Sequence, residues 1–506
     1  MAKYKRYDYS QTVLLPVSLE EQLMPGTLEF ALHTLVETRM DMSRFAERFC
    51  NDETGRSAYD PKILLKIVLL AYARGMISSR KIERACRENV VFMALTCGQH
   101  PDHSTIAAFV ATLKEEIQPL FRDVLLVCDE MGLLGGTEFA LDGCKLPGNA
   151  SKKWSGTFSV LKEKQERLER RVQQLLEEQV SADRKEGEDY PEGSKRSRQV
   201  EQLQKQAERI ARFLQENTTK LGTQHKEVKS NITANESALM HTAHGSVQGY
   251  NAQALVDAKQ QVIVQGEAFG WGQDHYHVTP VIEGATENMV AIGHAEDYFA
   301  AAILTADTSY HSNDSIEKCE QERIDAYIPD KDFRKRDPRF SVQKRSTAQR
   351  RKQFSREDFQ YDETVDQYIC PNGKRLMLQT SKARASGMIY RRYCAQTQDC
   401  MACTLRQGCI NKKGAGKRKT LMIPVATEGR NYSKEMAAKI DTERGRKIYP
   451  RRIAIVEPVF ANIRIQKLLN RFTLRGKIKV NIQWLLYCIV HNIEKIANFG
   501  CSFASA

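Results

Sequence analysis

The sequence predicts an α/β protein: a mixed sheet with helices, preceded by an all-α N-terminal domain and interrupted by a helical hairpin and a cysteine-containing segment. Three observations carry this. Apolar residues recur at helical spacing through 1–135; from about 136 the pattern shortens to that of buried strands; and two polar or charged stretches, 158–230 and 316–445, break the strand-bearing part. The core is then 136–157 with 231–315, closed by 446–506.

In the N-terminal part, Tyr59-Asp-Pro61 opens a mostly apolar helix running to Tyr72, with proline in the first turn, where its missing N–H is no loss. Gly75-Met-Ile-Ser-Ser79 is a turn whose serine caps a helix from Arg80 to Glu88, and His100-Pro-Asp-His-Ser104 caps another through Leu120. Short helices joined by tight turns suit a helix-turn-helix-like DNA module, with Arg80, Arg84 and Arg87 on one surface. On the helix pattern alone, an ordinary helical domain with solvated arginines is the stronger reading.

Glu138-Phe-Ala-Leu-Asp142-Gly143 is a short apolar run ending in an acid and a glycine, the pattern of a buried strand. Gly249–Asp257 and Gln261–Phe269 form a strand pair, Thr279–Val290 a helix, and Ala301-Ala-Ile-Leu-Thr-Ala-Asp307 another strand ending in an acid. Between the first two strands, Leu161, Leu168, Val172 and Leu175 make one seam, and Val200, Leu203, Ala207, Ile210 and Leu214 another. With the polar link 181–191 between them they predict an antiparallel helical hairpin. Near the C-terminus, Tyr449-Pro-Arg451-Arg452-Ile-Ala-Ile-Val-Glu457 reads as the opening of a helix, on which Arg464, seven residues beyond Glu457, shares its face. Val480–Ala497 is apolar enough for a core helix.

Composition narrows the class. With 76 Lys plus Arg against 63 Asp plus Glu, the net charge is +13, which favours a polyanionic partner. Thirteen scattered cysteines and a leading MAKYKRYDYSQ without an apolar stretch argue against secretion. No run approaches the ~18 apolar residues of a membrane span. The expectation is a cytoplasmic, nucleoid-associated protein that does not enter membranes.

Asp142 and Asp307 end strands and Glu457 lies on a late helix, at separations of 165 and 150 residues, so only a fold could gather them. Three clustered carboxylates suit Mg²⁺ or Mn²⁺, and two such ions can activate a water or hydroxyl and stabilise the leaving oxygen of a phosphodiester. Asp257 and Asp274 are rival acids. A carboxylate beside guanidinium groups suits joint handling of metal and phosphate, although most such helix pairs are surface ion pairs.

In ordered blocks the sequence resembles the insertion-sequence DDE transposases with an RNase H-like catalytic domain, of the type whose signature sets Tyr, Arg, Glu and Lys around the third acid. The blocks are Tyr59-Asp-Pro through Glu83, Glu88-Asn-Val90, Pro101–Ile106, Leu141-Asp-Gly143, Gly249–Gln253, Ala306–Tyr310, Val456–Phe460, Arg471–Gly476, and Trp484–Cys488 with Asn492. The resemblance implies that Asp142, Asp307 and Glu457 bind two Mg²⁺ or Mn²⁺ ions and that Tyr449, Arg452 and Arg464 hold phosphates of the DNA end. Arg452 stands one residue farther from Glu457 than the signature has it, so Arg451 is an equal candidate, and Arg464 replaces the usual lysine. It further implies binding to terminal inverted repeats, hydrolysis at each end, attack of the freed 3′-hydroxyl on target DNA, and a synaptic homodimer or larger oligomer. A nuclease without strand transfer and a degenerate DNA-binding protein are the rivals.

Cys394, Cys400, Cys403 and Cys409 contain one CxxC knuckle that suits a structural Zn²⁺, with Cys370 able to replace any one of them; a reduced loop explains them as well. Basic runs at 334–336, 344–345, 350–352, 412–413 and 417–419 would add salt-dependent phosphate contacts.

Overall fold

The computed structural model describes residues 18–48, 58–186, 195–222, 226–242, 245–340, 354–385, 388–410, 418–424 and 430–500. The basic runs at 344–345, 350–352 and 412–413, Lys417, residues 187–191 of the hairpin link and the first seventeen residues lie outside them. The chain divides into two compact units, Met1–Phe333 with Tyr432–Ala506, and Arg334–Asn431.

The first unit opens with helices α1 (Leu28–Thr38), α2 (Pro61–Ala73), α3 (Ser79–Glu88), α4 (Val90–Leu95), α5 (His103–Ala111) and α6 (Ile117–Glu130). Asp60 caps α2 by accepting from the Lys62 amide at 2.8 Å, and Pro61 fills the first turn. The helix is buried from Ile63 to Tyr72, as expected for one apolar on every side. Ser78 stands at the start of α3 but its side chain makes no capping bond. The single helix expected through Leu120 is two, α5 and α6. At the break the Thr112 hydroxyl donates to the carbonyls of Ala108 and Phe109, competing with the backbone, and the polar Lys114-Glu115-Glu116 follows.

The core sheet contains β1 (Glu138–Pro147), β4 (Ala238–Thr242), β5 (Gly245–Asp257), β6 (Ile263–Phe269), β7 (Ile303–Ala306) and β8 (Asp325–Tyr327). A separate two-residue ladder joins β2 (Ser155–Gly156) to β3 (Ser230–Asn231). The sheet runs β6–β5–β1–β7–β8, with β4 beside the opening residues of β5. β5 is antiparallel to β1, whereas β7 and β8 are parallel to it and to each other. Helix α9 (Val278–Ala291) leads towards β7, and α10 (Asn313–Gln321) connects β7 to β8.

Between β2 and β3 lie α7 (Phe158–Glu186) and α8 (Lys195–Glu216), which pack on each other. Leu161 meets Ile210 and Phe213, and Val172 with Leu175 meets Val200. The seams at steps of three and four bury apolar stripes that neither helix could cover alone.

After the second unit come α11 (Tyr432–Asp441), α12 (Glu443–Ile448), α13 (Arg451–Ala461) with a π turn at Asn462–Gln466, and α14 (Lys477–Phe499). The α14 helix lies on edge strand β6 and stitches to it through two asparagines. Asn492 accepts from the Ile263 amide at 2.9 Å and donates to its carbonyl at 2.8 Å, and Asn481 accepts from Ala268 at 2.7 Å. Gly266 permits the approach: a Cβ there would stand 2.8 Å from the Cys488 sulfur. α14 also packs on α2 and α6, where Tyr72 and Tyr487 rings stand 5.0 Å apart. The N-terminal helices therefore share a core with the sheet and are not a separable domain. The segment expected as an insertion at 316–445 is likewise narrower. β8 extends the core sheet and α11 belongs to the first unit, so the second spans 334–431; three residues, Asp-Ala-Tyr, give β8 no apolar run to mark it.

The second unit is an antiparallel meander, β9 (Gln360–Asp362), β10 (Gln367–Ile369), β11 (Arg375–Ala385), β12 (Met388–Ala395) and β13 (Thr420–Pro424), in that spatial order. Phe359, Tyr368, Leu376, Tyr393 and Leu421 form its core.

Candidate active site on the central strands

The parallel pairing of β1 with β7 sets Leu141 opposite Ala306, so Asp142 and Asp307 follow at adjoining positions of two central strands. Asp142 is not at the strand end that the sequence suggests: β1 continues five residues to Pro147, held by its pairing with β5 as far as Gly249. Asp307 does end its strand, and caps the next turn by accepting from the Ser309 amide at 2.7 Å. Burial pushes the Asp142 carboxyl above its usual range, and the charge of Asp307 pushes the same way, while Arg452 and the Gly143 amide pull it back.

Arg452 donates to the Asp142 carboxylate at 2.7 Å; the side chains are 12 % and 21 % exposed, so the pair is largely desolvated. Its neighbour Arg451 reaches Glu138 on the same strand at 3.1 Å and is mostly exposed. The two arginines left open by the sequence thus take different partners, and Arg452 is the one at the acid pair.

On the β5 side, Gln253 faces Gly143 across the ladder, and its amide lies where a Cβ on Gly143 would be, 2.0 Å away. That close approach explains the glycine after Asp142. Gln253 accepts from the buried Tyr310 hydroxyl and donates to Asp274 at 3.4 Å. Asp274 also accepts from Asn251 at 2.5 Å and pairs with Lys145 at 3.2 Å. The Tyr310 hydroxyl is held well above its ordinary pKa by burial and then by the charges of Asp142, Asp274 and Asp307. Gln253, Tyr310, Asn251 and Lys145 are site residues that sequence reasoning missed. Asn251 and Gln253 fall in the block Gly249–Gln253 and Tyr310 in the block Ala306–Tyr310, but without the register nothing aims either block at Asp142, and Lys145 falls in none.

The rival acids separate. Asp257 accepts from the amides of Gly135, Gly136 and Lys259 at 2.8–3.1 Å and so closes a turn. Asp274 is near the pair but committed to Asn251, Gln253 and Lys145.

Glu457 lies on α13, the helix that holds Arg452 against β1, with its side chain exposed. Pro458 inside the helix lacks an N–H; the Ala454 carbonyl it leaves free accepts instead from Gln261 at 2.9 Å. Arg464 does not continue the face of Glu457 in a simple helix, because the chain widens into the π turn after Ala461. There the buried Lys467 donates to Asn462 at 2.6 Å and to Glu494 at 2.5 Å. The exposed Arg464 acts on the Cys144 thiol of β1, which burial pushes up to about 12 and Arg464 opposes. Tyr449 packs edge-on against Phe333 at 5.2 Å. Among the described residues no three or more His, Cys, Asp or Glu side chains stand where they could together hold a metal ion. Asp142 and Asp307 are therefore brought together, and Glu457 is not brought into a ligating set with them.

On α3, Arg84 pairs with Glu88 at 3.8 Å and Arg87 with Glu83 at 2.9 Å, both one turn away and exposed at the arginine, while Arg80 is exposed on the same face. For Arg84 and Arg87 the solvated ion-pair reading has its observation.

In the second unit Cys394 turns away from the other thiols, its sulfur 3.1 Å from the Gln379 amide oxygen and 3.5 Å from the Thr420 hydroxyl. Its place beside Cys400, Cys403 and Cys409 is taken by Cys370, and these four line one small cavity of about 30 Å³. The Cys370 sulfur accepts from the Lys374 amide at 3.3 Å, Cys400 from the Lys419 amide at 3.4 Å and Cys403 from the Asn372 side chain at 3.5 Å. Spacing groups Cys394 with the other three, but alternation along β12 aims its side chain elsewhere.

No helix among the described residues is long and apolar enough to cross a membrane. Two family models match the chain: Transposase domain (DUF772) over residues 17–112 and Transposase DDE domain over 369–497. The second covers Glu457 and the cysteines but not Asp142 or Asp307. No curated protein matches. With a transposase match at each end and a mixed sheet carrying paired acids between them, the chain is identified as an enzyme of the insertion-sequence DDE transposase family.

Proposed function

We propose that this transposase binds the terminal inverted repeats of its element, cleaves the phosphodiester at each end and joins the 3′-hydroxyl to target DNA. The observation that carries this is the pair Asp142–Asp307 at adjoining positions of parallel central strands, faced by Arg452. The order β6–β5–β1–β7–β8, with β5 antiparallel to both its neighbours, β6 and β1, and with β7 and β8 parallel to β1, supports an RNase H-like core. Hard carboxylate oxygens suit Mg²⁺ or Mn²⁺, which when bound would activate the attacking oxygen and stabilise the leaving one. Asp142 and Asp307 would hold it, with Glu457 as the third acid from α13. Arg452 favours the ionised form of Asp142 against its burial, Tyr310 and Gln253 fix the strand beside it, and Tyr449 and Arg464 face phosphates. Arg80, Arg84 and Arg87 contact the repeat in place of their surface pairs. Two copies act together at two ends, at nucleoid DNA in the cytoplasm.

A labelled-repeat cleavage and joining assay in Mg²⁺ tests this. Asp142→Asn, Asp307→Asn and Glu457→Gln should each abolish cleavage and keep end binding, because a lost metal carboxylate removes several kcal/mol of transition-state stabilisation. Wild-type cutting by Asp307→Asn would sink the triad. Cleavage without joining would leave a nuclease, and repeat binding by a wild-type protein that never cuts would leave a degenerate binder. Truncation of the N-terminal helices is not a usable test, since α14 packs on α2 and α6.

We further propose a structural Zn²⁺ on Cys370, Cys400, Cys403 and Cys409. Four soft donors around one small cavity, three accepting N–H bonds that favour thiolate, support it. As they stand the thiols are not in a ligating arrangement, so binding would draw them together.

A further inference from the structure

Beyond β1 the chain turns at Asn149 and enters a cleft of about 450 Å³ lined by Asn149, Trp154, Arg209 of α8, Arg471 and Arg475 among others. Its floor is fixed: the fully buried Asn231 donates to the Ser151 carbonyl at 2.9 Å and to the Ser155 hydroxyl at 2.8 Å. Its far wall is tied to β1 by the Arg475 guanidinium, 3.0 Å from the Asn149 carbonyl, and by Asn149 donating to the Thr473 carbonyl at 2.9 Å. Arg471 approaches the Gly148 carbonyl at 3.5 Å. Arg209 and Lys164 stand over the Trp154 ring, 5.8 Å and 4.2 Å from its centre. No carboxylate lines the cleft, and among the described residues none pairs with Arg209, Arg471 or Arg475. Three unneutralised guanidinium groups around one polar cavity create a strongly positive site whose natural complement is a phosphate.

We propose that this cleft is a second DNA contact, in which Arg209, Arg471 and Arg475 clamp a backbone phosphate of the duplex whose end lies at Asp142 and Asp307. The reading rests on the proposed DNA chemistry and deepens it. Asn149 lies seven residues beyond Asp142, five of them along β1, a span of up to about 23 Å at roughly 3.3 Å per residue, or about seven base-pair steps along the duplex. The site would therefore hold the element's flank and not the scissile phosphate. Because α8 supplies Arg209, the hairpin gains a role in DNA positioning.

The test measures binding of the full-length protein to a terminal-repeat duplex across a salt series, with inorganic phosphate as the small-anion probe. Arg209→Ala is the first variant, since α8 is exposed there and its loss leaves no buried group stranded; Arg475→Lys, which keeps the charge, is the second. The expected result for Arg209→Ala is affinity lowered about tenfold at ~0.1 M salt, with the log–log salt slope reduced by about 0.9, equally for specific and non-specific duplexes. Arg475→Lys should keep most of the slope. Unchanged affinity and slope in Arg209→Ala would overturn the clamp. Unchanged DNA binding combined with a phosphate-induced thermal stabilisation that Arg209→Ala abolishes would overturn it in favour of a small-anion site. A wild-type protein that binds no duplex at any salt would instead bring down the DNA reading itself.

Discussion

Replacing Arg452 by Met should strand the Asp142 carboxylate inside the protein. The two side chains are 21 % and 12 % exposed and joined at 2.7 Å, so the pair is close to buried. Removing one partner of a buried pair costs about 3–5 kcal/mol; the residual exposure of Asp142 puts the expected loss near about 3 kcal/mol, roughly a hundredfold in the folding equilibrium. The loss should depend on pH. Burial already holds the Asp142 carboxyl above its ordinary range and Arg452 opposes that shift, so without Arg452 its folded pKa rises further. An acid raised on folding weighs against the native state above its unfolded pKa, about 4, and the full cost appears only above its folded pKa. The Arg452→Met penalty should therefore be full at pH 8 and shrink as pH falls into the raised range, where the carboxyl takes up a proton and no stranded charge remains. Urea unfolding followed by tryptophan fluorescence at pH 8 and pH 5.5 measures both quantities. The double variant Asp142→Asn with Arg452→Met should recover most of the stability, because neither charge is left alone, yet remain unable to cut DNA. A loss below about 1 kcal/mol at pH 8, or one equal at both pH values, would refute the reasoning.

Two further outcomes follow from the packing and from the thiols. Asn492→Leu removes both bonds to Ile263 and leaves a buried amide and carbonyl unpaired, so stability should fall by about 2–6 kcal/mol, read by the same unfolding curves; a change within about 0.5 kcal/mol would show that α14 does not close the sheet edge this way. Protein purified in metal-free buffer should carry roughly one zinc per chain by elemental analysis, kept in Cys394→Ser and lost in Cys400→Ser with Cys403→Ser; folded, active protein without zinc would end that proposal.

The sequence by itself determined those helices and strands whose buried face imposes its own period: the seams of α7 and α8, the apolar run of α2, and the short runs before Asp142 and Asp307. It also marked the two acids as strand-borne and the Tyr449–Glu457 stretch as a helix start. The tertiary structure alone decided what those side chains meet. Asp142 and Asp307 are 165 residues apart in sequence and become neighbours only through the parallel register of β1 and β7. Which arginine reaches Asp142 depends on how α13 is rotated against β1, and the position of Arg464 on a π turn no local pattern announced. β8 was hidden by its shortness, Cys370 replaced Cys394 through strand alternation, and the N-terminal helices proved inseparable from α14. Periodicity records that a residue is buried, while register and helix rotation, set by contacts distant in sequence, decide against what.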